Sequence, residues 1–409
     1  MSRSTVNADS LRRIIETNFP DLWGPTEAVL SAICAMLPSD VVNPPSLILV
    51  GPSSSSKTTV LDMLADVNDL CYRSDRFTPR AFVSHAANVK REELAKIDLL
   101  PRIKHKALVT PELAPIFRGN EETLSDTFAI LTAVLDGHGF ISDSGVQGRR
   151  GYTGDEWLFT WIGATTPLPG HVWRVMAQLG SRLFFYMMPD DEVDDETLDA
   201  VIRSDASYRR RLAACRASVQ AFLPQRMEDF RGVRGIEWSR KDDPADVTEL
   251  IRQCAKLVAK LRGVVSVWKE RDQEADLSYT PPNVEQPHRA LAVLYNLARG
   301  HALLYGRTQL TTEDLPVVAH VALSSAPTDR SRLFRGLLDA NGTHTTRAVA
   351  ALLEVSLPTA RKAMKSMELL KLADLDEAPT SGEDGTPAQI LRLRPDWAWA
   401  LKPEFWTLL

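Results

Sequence analysis

Four consecutive apolar residues, Leu47-Ile48-Leu49-Val50, run straight into Gly51, Pro52 and four serines, after which Lys57-Thr58-Thr59 opens an amphipathic segment through Leu64. A buried strand, a loop of small residues and a helix, in that order, form the grammar of a phosphate-binding loop, G-x-x-x-x-G-K-[ST]. One position departs from it: Ser56 stands where the second glycine is expected. The order matters because loop N–H groups must curl round phosphate oxygens while the helix aims its positive end at them. Lys57 then reaches the β and γ oxygens and the Thr58 hydroxyl ligates Mg²⁺. Gly51, Ser56, Lys57, Thr58 and Thr59 are therefore the expected contacts to a nucleoside triphosphate. The Ser56 position favours a backbone without a Cβ, which predicts a strained but competent loop.

With 409 residues the chain has room for two or three domains. Its net charge of −5 excludes a polycation, so any nucleic-acid contact must come from a local patch. Cys34, Cys71, Cys215 and Cys254 are far apart and form no C-x-x-C pair, which predicts buried thiols in a reducing compartment rather than a disulfide or zinc framework. The N-terminal stretch lacks the apolar core of a signal peptide, and no apolar run reaches membrane-spanning length. The expectation is a cytoplasmic protein with no membrane partner.

Apolar spacing over 8–37 predicts two lead-in helices, ended by Pro44-Pro45. A helix is expected around Val60–Asn68, a second strand at Arg80–His85 and a helix over Glu92–Leu100. His105–Pro111 then reads as a strand delivering Glu112, some fifty residues past the loop, to the position of a catalytic base that polarises water and serves the metal. Pro111 replaces the aspartate usual before such a glutamate, and a helix-capping role for Glu112 stays open. Leu124, Phe128, Leu131 and Leu135 predict a helix over Glu121–Leu135. The glycine-rich run 137–154 predicts a projecting β-hairpin with Arg149 and Arg150 at its tip. Glu156–Pro167 reads as a buried strand ending in Thr165 and Thr166, where hydroxyls can meet a γ-phosphate, and Arg182 leads into another buried strand.

In its order of parts the chain resembles the AAA+ ATPases, and within them the clade with a hairpin before the sensor-1 strand, typified by minichromosome-maintenance helicases and their phage and plasmid relatives. The resemblance covers about 25–190 and, more weakly, 285–325. It implies ATP and Mg²⁺ as cofactors and Thr166 (or Thr165) at sensor 1. Ser181-Arg182-Leu183 corresponds to an arginine finger reaching a neighbouring subunit's nucleotide, hence a homo-oligomer, a hexameric ring or a filament. The long helix 287–307 and the capping-box-like Thr311–Asp314 resemble the AAA+ lid, with Arg289 as sensor 2 and Arg299 as its fallback.

Between core and lid, 190–280 reads as charged and helical, opening on an acidic helix start at Pro189. Its Tyr208-Arg209-Arg210-Arg211 run is most simply a solvated face, and Gln273–Gln286 a connection. Residues 328–409 read as a winged helix: three helices, then strands at Leu372–Leu375 and Ile390–Leu393 across an acidic wing that includes Asp376, Glu377, Glu383 and Asp384. Arg361, Lys362 and Lys365 lie on the third helix, where side chains reach phosphates or base edges. Trp397, Trp399 and Trp406 are expected to pack on that domain. The expected architecture is a helical lead-in (1–43), an α/β P-loop core (44–190), connecting helices with a lid (191–327) and a winged helix (328–409). The function expected is an ATP-driven motor or loader on DNA in a phage or mobile element, with Arg149 and Arg150 gripping the backbone. Two alternatives are a slowly hydrolysing, nucleotide-switched DNA-binding regulator and a remodelling ATPase whose winged helix docks a protein.

Overall fold

The structure, a computed structural model, describes residues 7–180, 182–189, 195, 199, 202–203, 207–269, 277–381, 387–406 and 408. Ser181, the acidic stretch 190–194 and the wing residues Glu383 and Asp384 lie outside the described residues, as does the side chain of Trp406.

Five short strands carry the core: β1 (Ser46–Val50), β2 (Cys71–Arg73), β3 (Ala107–Thr110), β6 (Thr160–Thr165) and β7 (Leu183–Met187). They form one parallel sheet in the order β2-β3-β6-β1-β7. β1, β3 and β6 are buried at every position, as expected of parallel strands covered on both faces. The hairpin strands β4 (Gly139–Ser144) and β5 (Gly148–Thr153) leave the core between the helix Glu121–Leu135 and β6.

β7 is an edge strand, and its outward backbone groups are taken up by side chains. Arg262 Nη2 donates to the Leu183 carbonyl (2.8 Å), Phe185 N–H donates to Ser325 Oγ (2.9 Å), and His320 Nε2 lies 2.9 Å from the Met187 carbonyl. A sheet edge with unpaired groups invites association with other chains, and this one is closed from within. Burial, with nearby Arg335 as a second cause, pushes His320 down to about 4, so the imidazole that closes the edge is neutral.

The helix His288–Leu304 lies along the lead-in helix Trp23–Cys34. Gly300 makes the approach possible, because a Cβ there would sit 2.0 Å from the Ser31 carbonyl oxygen. A buried polar network fixes the same interface. His301 pairs with Asp314 (2.7 Å) and Glu27 (3.3 Å), and Tyr305 donates to Glu27 (2.5 Å). Burial opposes a charged imidazole, but the hydrogen bonds to Asp314 and Glu27 outweigh it and raise the His301 pKa.

The C-terminal residues form helices Thr328–Asp339, Thr346–Leu353 and Leu357–Leu369. With them goes an antiparallel sheet β10-β12-β11 built from Thr343–Thr345, Pro387–Leu393 and Ala373–Ser381. Trp397 is buried and donates to the Lys371 carbonyl (2.9 Å), while Trp399 packs on Phe405.

Several boundaries differ from expectation. The second strand is Cys71–Arg73, and Arg80–His85 is a 3-10 turn followed by irregular chain: Phe82 and Val83 are buried by tertiary packing without joining a sheet. The helix after the loop ends at Asp62, and Glu92–Leu100 divides at Asp98 into Arg91–Ile97 and Leu99–Ile103. Part of the expected connection is a strand, β9 (Leu277–Tyr279), paired with β8 (Val267–Lys269). All four cysteines are free and buried; burial pushes Cys34, Cys71 and Cys254 up to about 12. Among the described residues no helix is long and apolar enough to cross a membrane.

Candidate nucleotide site

The loop 51–56 sits at the carboxyl end of β1, between β6 and β7, the end where open α/β sheets bind ligands. Gly51 N–H donates to the Thr165 carbonyl (3.3 Å) and Met188 N–H to that of Val50 (2.8 Å), which seats the loop on both neighbours. A Cβ on Gly51 would lie 2.6 Å from Ser55 Oγ and 3.0 Å from Met188 Cβ, so the turn requires glycine. Ser54 (φ 69°) and Ser56 (φ 59°) both take left-handed backbone, the alternation that turns successive N–H groups toward one anion. Serine is strained there, as the sequence implied, and it adopts the conformation nonetheless.

Lys57, only 8% exposed, folds its ammonium back into the loop, donating to Gly51 O (2.8 Å), Pro52 O (2.5 Å) and Ser55 Oγ (3.1 Å). These acceptors stand in the place of phosphate oxygens, and no side chain caps the helix Lys57–Asp62, whose first N–H groups remain for a ligand. Burial lowers the Lys57 pKa, while attraction to Glu112 works the other way. The residues present fit a triphosphate.

Glu112 is exposed just past β3, and its Oε1 accepts from Ala114 N–H (2.8 Å) at the head of the helix Ala114–Phe117. The capping role left open from sequence is thus present. Leu113 N–H bonded to the Ala164 carbonyl (2.8 Å) holds this segment against β6. Thr165 is buried inside β6, and Thr166 is the half-buried residue just beyond it, beside the loop. Thr58 is exposed and Thr59 buried. Among the described residues no three His, Cys, Asp or Glu side chains gather for a metal. Magnesium would therefore be held mainly through nucleotide oxygens, with Thr58 and Glu112 at hand, as is usual for that ion.

Arg182 and Arg289 are brought together, but not here. Arg182 precedes β7 and so lies at the amino end of the sheet, a five-residue strand of roughly 16 Å away from the loop. It makes a side-on pair with Asp136 (Nε–Oδ1 2.9 Å, Nη2–Oδ2 2.7 Å) and donates to the Gly180 carbonyl (2.5 Å). Arg289 Nη1 donates to the same carbonyl (3.2 Å). Burial and then the neighbouring Arg182 charge lower the Arg289 pKa. The structure therefore does not bring Arg289 to the phosphate loop of its own chain, which corrects a sensor-2 role within one subunit.

It also removes the fallback, because Arg299 is fully buried, paired with Asp40 (2.6 Å) and stacked over Tyr295. Residues 286–325 match the family model of the AAA lid domain. That match supports an AAA+ ATPase, and the mixed α/β core with its parallel sheet is consistent with it. The matched lid runs from Gln286 through the helix Leu315–Ser324 and contains Arg289, His301 and the Thr311–Asp314 capping box. No curated protein matches the chain.

The expected cationic contacts fare unevenly. The hairpin turn is Gly145–Gln147, with Val146 68% exposed, and the arginines lie on β5 below it. Arg150 is corrected from a projecting grip to a buried anchor, its Nη2 2.9 Å from Asp98, a carboxylate with no exposure. Asp98 also accepts from Tyr152 OH (2.7 Å) and Ser84 N–H (2.7 Å). Arg149 is exposed, opposite Asp143 in the hairpin register. On the helix Leu357–Leu369, Lys362 is exposed and Arg361 half-buried. Lys365 is half-buried; it pairs with Glu368 (2.6 Å) and lies over the Tyr279 ring (5.5 Å). Sequence reasoning missed Asp98, Asp136 and Arg262, isolated charges whose partners lie tens of residues away and leave no local signal.

Proposed function

We propose that the chain hydrolyses ATP as an oligomeric AAA+ protein of the pre-sensor-1-hairpin clade and acts on DNA, as a helicase-like motor or loader in phage or mobile-element replication. One observation carries the oligomeric reading: Arg182 and Arg289 share the Gly180 carbonyl at the end of the sheet opposite Lys57. A single chain holding its lysine and its arginine pair at opposite ends completes no site alone, and a second copy, as ring or filament, supplies the missing charge.

Lys57 and the loop N–H groups hold the β and γ phosphates, Glu112 orients water, and Thr166 bonds the γ-phosphate. Thr58 and Glu112 would help hold Mg²⁺, which would supply neutralisation of the charge on the triphosphate. The placement of β4–β5 ahead of β6 supports the pre-sensor-1-hairpin reading. Three helices and the sheet β10-β12-β11 support a winged helix (328–409) that meets duplex DNA through Arg361 and Lys362.

The engagement of Arg150 and Lys365 inside the chain favours a second reading, a remodelling ATPase whose winged helix docks a protein. Steady-state turnover with and without duplex and single-stranded DNA separates them. The motor predicts turnover stimulated by DNA and lost in Glu112→Gln. Turnover indifferent to DNA favours remodelling, and ATP binding without turnover favours the nucleotide-switched regulator.

A further inference from the structure

Beside the phosphate loop stands an aromatic side chain that the catalytic assignments leave unused. Tyr208 opens the helix Tyr208–Asp229 behind Ser207, and its hydroxyl lies 2.9 Å from Thr59 Oγ1 in the first turn of the loop helix. Thr59 is buried, yet Tyr208 is 46% exposed, unusual for a ring whose polar end is already bonded into the core. One side of the ring is backed by Phe19, edge-on with centroids 5.8 Å apart at 69°. Arg211 fixes Phe19 in turn, lying 5.0 Å from its centroid and donating to the Asn18 carbonyl (3.1 Å). Farther along the helix, Arg216 Nε donates to the Asp62 carbonyl (2.8 Å) at the far end of the loop helix. The ring is held at several points and its remaining surface faces solvent.

Glu112 and Thr166, from the ends of β3 and β6, mark the side of the loop where the terminal phosphate reacts. Tyr208 stands instead at the first helical turn, the one that carries Thr59. We propose that Tyr208 is the base-stacking residue of the nucleotide site, its hydroxyl anchored on Thr59 and its ring braced by Phe19. The inference rests on the phosphate-loop reading and adds to it the residue that separates a nucleotide from a bare polyphosphate. Stacking of this kind tolerates different bases because every base has a π-face.

The test is equilibrium binding of ATP and of inorganic tripolyphosphate, each with Mg²⁺, to the full chain and to Tyr208→Ala and Tyr208→Phe. Tyr208→Ala is expected to weaken ATP about tenfold and to leave tripolyphosphate within about twofold, since base–aromatic stacking is removed and the loop is not. Tyr208→Phe keeps the ring and is expected to hold ATP within about threefold. Unchanged ATP affinity in Tyr208→Ala overturns the stacking role alone. Equal weakening of both ligands also overturns it, because the ring then supports only the loop. Binding of neither ligand by the unaltered chain overturns the phosphate-loop reading and this inference with it.

Discussion

Arg182→Ala is expected to lower the turnover number by about a thousandfold or more while ATP affinity changes only a few-fold, the signature of an arginine that stabilises transferring charge in trans. Because Arg182 lies at the end of the sheet away from Lys57, the defect should be repairable between chains. Arg182→Ala supplies an intact loop and Lys57→Ala an intact arginine, so mixing two inactive variants should restore measurable ATP turnover. Asp136 qualifies how that arginine works. The side-on pair leaves Arg182 12% exposed and Asp136 31%, so the carboxylate fixes the orientation of the guanidinium within the single chain. Turnover by Arg182→Ala within threefold of the unaltered protein, or no recovery on mixing, contradicts the assignment.

The second large effect is on stability. Asp98→Ala is expected to cost about 3–5 kcal/mol, because it leaves Arg150 as a buried charge without its partner and strips acceptors from Tyr152 and Ser84. Asp98 is where the helix expected over Glu92–Leu100 breaks, so the same residue ends one helix and moors the hairpin. Denaturant unfolding gives the magnitude, and hydrogen exchange over 139–153 should show the hairpin losing protection first. Combining Asp98→Ala with Arg150→Met should recover part of the loss, since the stranded charge is then gone. A cost below about 1 kcal/mol with hairpin protection intact would mean that the pair holds nothing in place.

What the sequence disclosed follows the range of the forces involved. The loop 51–59 is legible because its chemistry is local: strand, small residues, lysine and helix are contiguous, and even the strain at Ser56 follows from its position. The helix Glu121–Leu135 was legible from its apolar stripe, and the Thr311–Asp314 capping box from neighbouring residues. Charge roles were not. Arg150 reads as a free cation until Asp98, 52 residues earlier, is folded against it, and Lys365 until Tyr279 and Glu368 claim it. Arg289 was placed on the right helix but could not be placed relative to the loop, because that depends on how the lid docks along β7 and the lead-in helix. Phe82 and Val83 read as a strand for a similar reason, since apolar residues buried by tertiary packing look alike whether or not they join a sheet.

All of these assignments depend on the loop binding a triphosphate. The most direct measurement is calorimetric titration of ATP with Mg²⁺ into the unaltered chain and into Lys57→Ala, with the unfolding midpoint of each recorded alongside. The ammonium now rests on Gly51, Pro52 and Ser55 acceptors that phosphate oxygens would replace. Saturable binding at one ATP per chain, weakened at least about a hundredfold in a Lys57→Ala protein that unfolds at nearly the same temperature, is the predicted result. Equal affinity in both proteins, or no ATP binding by the unaltered chain, would contradict it.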